Sequence, residues 1–225
     1  MCGECPGYEW RRALSEPSRR RALLRGFAAS ACLFLPAQLR GAGSPSDLVA
    51  RVGKAREGLR TLRGPFTQTR TIGLLATDVV SHGVVTLVRP DRLRWELDPP
   101  DAVVFWIGPE GIAYRSPYGA GALPAVTGKA ADALSDLRTL LGDDLRTLQV
   151  RWQLRVERDD PDGCRIEATE RTPPSGFARR IELALAPDLL RPTFVRLEDG
   201  PRDRTSIQFS EMQLNASVDP RTMKP

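Results

Sequence analysis

Hydrophobic and polar positions alternate along most of this chain, and the period changes twice. At the start it is helical. Leu48, Val52, Ala55 and Leu59 fall on one face, which predicts a helix capped by Ser46, weakened by Gly53 and Gly58, and ending near Thr61. From Leu62 the period becomes two, the spacing of a strand with one wet face. Strands are expected over residues 66–72 and 79–88, with Gly83 as a bend or bulge in the second. Leu93, Trp95 and Leu97 alternate cleanly with charged residues, and Pro99-Pro100 ends that run. Residues 103–107 and 111–116 predict a hairpin across Gly108-Pro109-Glu110-Gly111. Residues 116–128 are rich in Gly, Pro and Ala and predict no element. The helical period then returns at Leu134, Leu137, Leu140 and Leu141, and again over residues 143–148. Alternation resumes in Val150-Trp152-Leu154-Val156, Cys164-Ile166-Ala168, Ile181-Leu183-Leu185, Val195-Leu197 and Thr205-Ile207-Phe209. The last of these continues past an irregularity to Met212-Leu214.

One helix, five or six strands, a helical insertion and about five more strands make a mainly β chain with helices, an α+β class. Each strand has one apolar face to bury. The helices are too few to sandwich such a sheet but suit its concave side. The expected architecture is a curved antiparallel sheet or unclosed antiparallel β-barrel of about 10–11 strands with a helical lid. An apolar cavity under such a lid suits a lipid or acyl chain.

The net charge of +5 does not belong to this sheet, because residues 1–43 hold seven of the 33 Lys and Arg, and the remainder is close to neutral. That removes the basic face a nucleic-acid partner needs. In residues 1–43, Arg19-Arg20-Arg21-Ala22-Leu23-Leu24-Arg25 precedes an apolar stretch, residues 26–37, and Gly41-Ala42-Gly43 follows. This is the order of an export signal, and Arg20-Arg21-x-Leu-Leu-Arg resembles the twin-arginine kind. An ordinary secretory signal with an Arg-rich start, or a short amphipathic helix, fits the same residues. The expected division is a signal peptide, residues 1–43, and a single exported domain, residues 44–225. Cys2 and Cys5 lack the second pair that a zinc or redox motif needs. Cys32 faintly resembles a lipidation site. Cys164 would be the lone thiol of the mature chain.

Catalytic chemistry finds little support. The single histidine, His82, adjoins Ser81, and adjacent strand residues point to opposite faces, so the two cannot pair as nucleophile and base. There is no Gly-x-Ser-x-Gly elbow, phosphate loop or dinucleotide fingerprint. Asp143-Asp144 and Asp159-Asp160 sit where capping and turns explain them. No enzyme activity, metal or cofactor is expected.

Phe66-Thr67-Gln68, Gly83, the run Arg89-Pro90-Asp91-Arg92-Leu93-Arg94-Trp95-Glu96 and Pro99-Pro100 resemble the LolA family over residues 46–214. The resemblance implies a periplasmic carrier that moves lipoproteins from the inner to the outer membrane. It implies an unclosed barrel with a helical lid, an inner-membrane releasing transporter and an outer-membrane acceptor as partners, and no cofactor. It also implies that Arg89 locks the lid. Parity points Arg89 toward the apolar side, where exposed helix-end carbonyls would meet it. A shift of parity at Pro90 would instead leave it a solvated strand end. Leu93 matches a cavity position. The expected cavity lining is Phe66, Leu93, Trp95, Leu97, Trp152, Leu154, Ile181, Leu183, Ile207 and Phe209, with Leu134, Leu137, Leu140 and Leu141 on the lid. Trp95 fits core packing as well as ligand contact.

After Leu214 only Val218-Asp219 matches the longer tail of better-known members, which puts handover to the usual receptor in question. The alternatives are a carrier of another amphiphile, such as a glycolipid or polyketide-derived lipid, or a lipid-sensing or scaffolding module whose sheet edge binds a partner protein. A monomer is expected.

Overall fold

The computed structural model describes residues 44–73, 77–123, 129–142, 145–172 and 179–225, with side chains from 123 to 135 outside that description. The export-signal reading of residues 1–43 therefore lies outside the described residues. Those described belong to one compact unit, residues 40–225. In it α1 (Pro45–Arg56) precedes β1 (Thr61–Thr71), β2 (Val79–Val88), β3 (Arg92–Leu97), β4 (Val104–Gly108), β5 (Gly111–Ser116) and β6 (Gly119–Leu123). Then come α2 (Lys129–Gly142), a 3-10 turn (Leu145–Val150), β7 (Trp152–Asp160), β8 (Gly163–Glu170), β9 (Arg180–Leu185), β10 (Pro192–Glu198), β11 (Arg204–Phe209), β12 (Gln213–Leu214) and a last 3-10 turn (Pro220–Met223).

The twelve strands form one antiparallel sheet in the order β6-β5-β4-β3-β2-β1-β11-β10-β9-β8-β7, with β12 also on β1. Within each run most sequence neighbours pair as hairpins, and β1 joins the two runs through its ladders with β11 and β12. The end strands β6 and β7 do not pair with each other, so the barrel is unclosed. Leu48, Val49 and Val52 of α1 and Leu137, Leu140 and Leu141 of α2 join the sheet's inner residues in one core. The chain makes an open β-barrel with a helical lid, as its alternation predicts.

Local expectations change at several points. Pro45 opens α1, because its fixed φ and missing N–H suit a first helical position. Ser44 therefore takes the cap place, without a side-chain bond, and Ser46 lies inside the helix. The helix ends at Arg56 rather than near Thr61, because the Leu59 N–H turns back to the Arg56 carbonyl at 3.0 Å. Val150 is 86% exposed and precedes β7. Finally, β6 is a strand without alternation. Its Gly121 lies opposite Tyr114, whose ring fills the place a Cβ would take, 2.8 Å from Cε1.

Gly83 is not a bulge, since the β1–β2 register runs through it unbroken and the β2–β3 ladder reaches it at Leu97. A Cβ there would lie 1.9 Å from the Glu96 carbonyl oxygen and 2.8 Å from Phe66 Cζ. Glycine lets strand and ring approach. The irregularity before β12 is real, with Glu211 at φ 51°.

Trp106 and Ile107 are adjacent on β4, so they face opposite sides of the sheet, yet both are buried. The C-terminal segment explains this. Asp219 caps the last turn by accepting the Arg221 N–H, Met223 is buried, and the Trp106 indole N–H donates to the Thr222 carbonyl at 2.9 Å. The tail after Leu214 thus covers the outer face of the sheet at Trp106.

Candidate functional site

The concave side divides into two parts. Under the 3-10 turn, Leu140, Leu145 and Leu148 meet Leu154, Ile166, Ala168, Ile181 and Leu183, and only about 10 Å³ is left between them. That is scarcely the ~10–15 Å³ a single water requires. Toward β1, β3, β4, β10 and β11 a cavity of about 510 Å³ remains. Trp95, Leu97, Phe105, Leu137, Leu197 and Ile207 form its apolar wall. Its rim is polar: Gln68, Arg70, Thr71, Asp199, Asp203, Arg204 and Thr205, with Ile72 among them. An apolar interior with a charged mouth is the arrangement an amphiphile fits.

The wall rests on an aromatic cluster. Phe66 stacks on Trp95 with ring centres 3.8 Å apart, and Phe209 meets Trp95 edge-on at 6.4 Å. Register explains the contact, since Phe66 lies opposite Gly83 and Gly83 opposite Leu97. Of the ten residues expected to line a cavity, Trp95, Leu97 and Ile207 wall the open part. Leu154, Ile181 and Leu183 border the filled part. Phe66, Leu93, Trp152 and Phe209 are packed core.

On α2, Leu137, Leu140 and Leu141 are buried, while the Leu134 side chain lies outside the described residues. Among the described residues Arg89 makes no hydrogen bond to α2. It donates to the Arg56 carbonyl and, at 3.4 Å, to the Leu59 carbonyl, the open C-terminal end of α1. Arg56 continues the path, donating from Nη2 to the Leu140 carbonyl of α2 at 2.7 Å. Arg138 of α2 donates to the Asp91 carbonyl at 3.1 Å. Arg89 therefore reaches the lid through α1.

A second tie is ionic. Asp136 of α2, 6% exposed, accepts from Arg179 at 3.2 Å and from Arg151 at 3.5 Å. Arg179 also pairs with Asp199 on the cavity rim at 2.7 Å, and Arg151 with Glu170 at 3.2 Å. Both guanidinium groups lie over the Trp152 ring, at 5.4 and 5.6 Å from its centre. Burial alone would lower the Arg179 pKa, but the Asp199 hydrogen bond and the charges of Asp199, Asp136 and Glu170 raise it overall. A carboxylate this deep is tolerable only with such partners.

Sequence reasoning passed over Arg56 and Asp136, although a signal existed. Arg56 continues the Leu48, Val52 spacing of the apolar face, and Asp136 stands four residues before Leu140. A charge on an apolar stripe marks a buried polar tie.

Ser81 is buried and bonds Asp101, whereas His82 is exposed and shares a 3.2 Å contact with Thr67, so the two do face apart. Cys164 is 3% exposed, and burial pushes its thiol up to about 11. Among the described residues there is no group of three or more His, Cys, Asp or Glu placed to hold a metal. Among them, too, no helix is long and apolar enough to cross a membrane.

An open antiparallel barrel with an apolar cavity beneath a tethered helix defines a lipid-carrier type of fold. The family model for outer membrane lipoprotein carrier protein LolA matches residues 57–225, and the chain belongs to that family. The match runs past Leu214 through the tail, further than the residues that first carried the resemblance. Members are carriers by that description. No curated protein matches the chain. Among solved structures it is similar to a LolA superfamily protein, NE2245, from Nitrosomonas europaea, at 11% identity and a TM-score of 0.44, covering 82% of this chain and 99% of that one. It is similar to MucB at 15% identity and a TM-score of 0.47, over 80% of this chain and 62% of that one. LprF from Mycobacterium bovis aligns at 14% identity and a TM-score of 0.41, over 80% and 97%.

Proposed function

We propose that this protein is a periplasmic carrier that holds the acyl part of a lipoprotein, or of another amphiphile, in the cavity walled by Trp95, Leu97, Phe105, Leu137, Leu197 and Ile207. The observation that supports this most is the cavity itself. About 510 Å³ stays open beside a filled part of the concave face, with charges at its mouth. Each methylene taken from water into it contributes ~0.8 kcal/mol, so a chain is held without covalent chemistry. Bulkier cargo requires α2 to move, because Leu137 is part of both the helix and the cavity wall.

In this reading Arg89 is a positioning residue. It fixes the end of α1, and Arg56 carries that constraint to α2. Loading at an inner-membrane transporter and delivery to an outer-membrane acceptor complete the cycle. The first test is native mass spectrometry with lipid extraction of the protein taken from its own periplasm. A co-purifying lipoprotein supports the lipoprotein route, and a free glycolipid or other lipid supports the second cargo class. An empty protein that also fails to bind a fluorescent fatty acid overturns the carrier reading. Arg89→Leu should loosen lid closure and leave cargo trapped, read as reduced transfer to acceptor membranes. Unchanged transfer would count against the role of Arg89.

A further inference from the structure

The link between α1 and β1, residues 57–60, is gripped from two sides. At Leu62 the strand that follows it has β2 on one side and β12 on the other. Arg89 comes from the β2 side. Its guanidinium donates to the Arg56 and Leu59 carbonyls, and its backbone N–H to the Arg60 carbonyl at 2.9 Å. Asn215 comes from the β12 side. Its Oδ1 accepts the Arg60 N–H at 2.7 Å, and its Nδ2 donates to the Gly58 carbonyl at 3.2 Å. Its backbone N–H donates to the Thr61 carbonyl at 2.8 Å, and the Thr61 hydroxyl donates to the Ala216 carbonyl at 2.6 Å.

Two further features single out Asn215. Its φ is 56°, in the left-handed region that Asn enters more readily than most residues. The link it holds has little side-chain packing at its start. Leu59 is buried, but a Cβ at Gly58 would meet nothing within 4 Å among the described residues. Hydrogen bonds to the peptide groups fix the path there instead. That path matters for the lid. Arg56, at the end of α1, donates to the Leu140 carbonyl of α2 at 2.7 Å, a bond that needs the helix end in register with α2.

We propose that Asn215 is the second half of the lid lock, a positioning residue that fixes the α1–β1 link for Arg89 and so keeps α2 over the cavity. Arg89 takes carbonyls of the link from one side. Asn215 takes an N–H and a carbonyl of the same link from the other, which leaves the end of α1 one place to sit. The C-terminal segment thereby has a part in the lid, because the chain runs on from Asn215 to the turn that covers Trp106. Asn215 is exposed and its bonds compete with water, so its effect is on the link and the lid rather than on the whole sheet. The lock rests on the carrier reading for its use in retaining cargo, and on these hydrogen bonds for its geometry.

Hydrogen exchange on the cargo-free protein tests it. Asn215→Gly keeps the left-handed backbone without strain and removes both side-chain bonds. Exchange should quicken on the order of tenfold in α2 and the last turn of α1, and stay as in wild type in β8 and β9. Asn215→Asp keeps an acceptor for the Arg60 N–H and should recover part of the protection. Combined with Arg89→Leu, Asn215→Gly should add little, because both changes free the same link. Trp106→Phe removes the bond to Thr222 but leaves Asn215 seated, and α2 should then exchange as in wild type. Transfer of a fluorescent fatty acid to acceptor vesicles should fall in Asn215→Gly as it does in Arg89→Leu. Unchanged exchange in α2, equal quickening in β8 and β9, no recovery in Asn215→Asp, or full additivity with Arg89→Leu overturns the proposal. Because exchange is read without cargo, a wild type that binds no fatty acid overturns the carrier reading and not the lock.

Discussion

The two parts of the concave face are written in the same alternating pattern, yet one is solid and the other hollow. Ile181 and Leu183 on β9 and Leu197 and Ile207 on β10 and β11 all sit on inward positions of neighbouring strands. The first pair meets Leu140, Leu145 and Leu148 and leaves about 10 Å³. Among the described residues the second pair meets Leu137 of α2 and leaves about 510 Å³. The difference lies in what covers the sheet. Where α2 runs into the 3-10 turn, three leucines, Leu140, Leu145 and Leu148, descend onto the sheet. A half-barrel's core and its cavity are therefore one surface, divided by where leucines descend from above.

That division can be broken from either side. The largest effect is expected in the solid part. Leu183→Ala should cost ~2–5 kcal/mol in urea unfolding and leave fatty-acid affinity unchanged, because the lost packing lies under the 3-10 turn. Equal losses of stability and affinity would mean that the two parts act as one. Gly83→Ala comes next, at the upper end of the ~1–3 kcal/mol of an overpacked site. The new Cβ collides with the Glu96 carbonyl and with Phe66. Here affinity should fall as well, since the aromatic cluster behind the open wall shifts, with a change in tryptophan fluorescence as the readout.

Asp136→Asn should cost about 2 kcal/mol, since Arg179 is partly buried beside it while Arg151 is half-exposed and partly served by water. Hydrogen exchange should quicken in α2 and stay slow in β8 and β9. Uniform exchange would show that the ionic tie does not hold the lid on its own. The smallest effect sharpens the hollow part. Leu197→Trp should fill the cavity and weaken fatty-acid binding roughly tenfold, about 1.4 kcal/mol, with stability nearly unchanged.

Alternation and turn chemistry make most of the sheet legible. The limits of β2 and β3 follow from pattern alone, because one face is wet and the register is thereby fixed. The strand β6 escapes, since Gly119, Ala120, Gly121 and Ala122 carry no contrast of polarity, and their partner Tyr114 supplies the bulk. The end of α1 escapes because Leu59 keeps helical spacing while packing from a turn. At the site, sequence identifies inward residues but not which of them face space, which depends on helices far along the chain. Arg89 is found on the apolar side by parity, but its partner is the end of α1, a contact across 33 residues that no local pattern encodes.

The unpaired ends of the sheet carry a mechanical meaning. A closed barrel has a circumference fixed by strand number and shear. This one stops at β6 on one side and β7 on the other, with no ladder between them. Its girth can therefore widen or narrow without a backbone hydrogen bond being broken. The cost falls on the edges, which must resist pairing with other chains. One edge is a five-residue strand. The other carries Arg155, Glu157 and Arg158, engaged in ion pairs along its length.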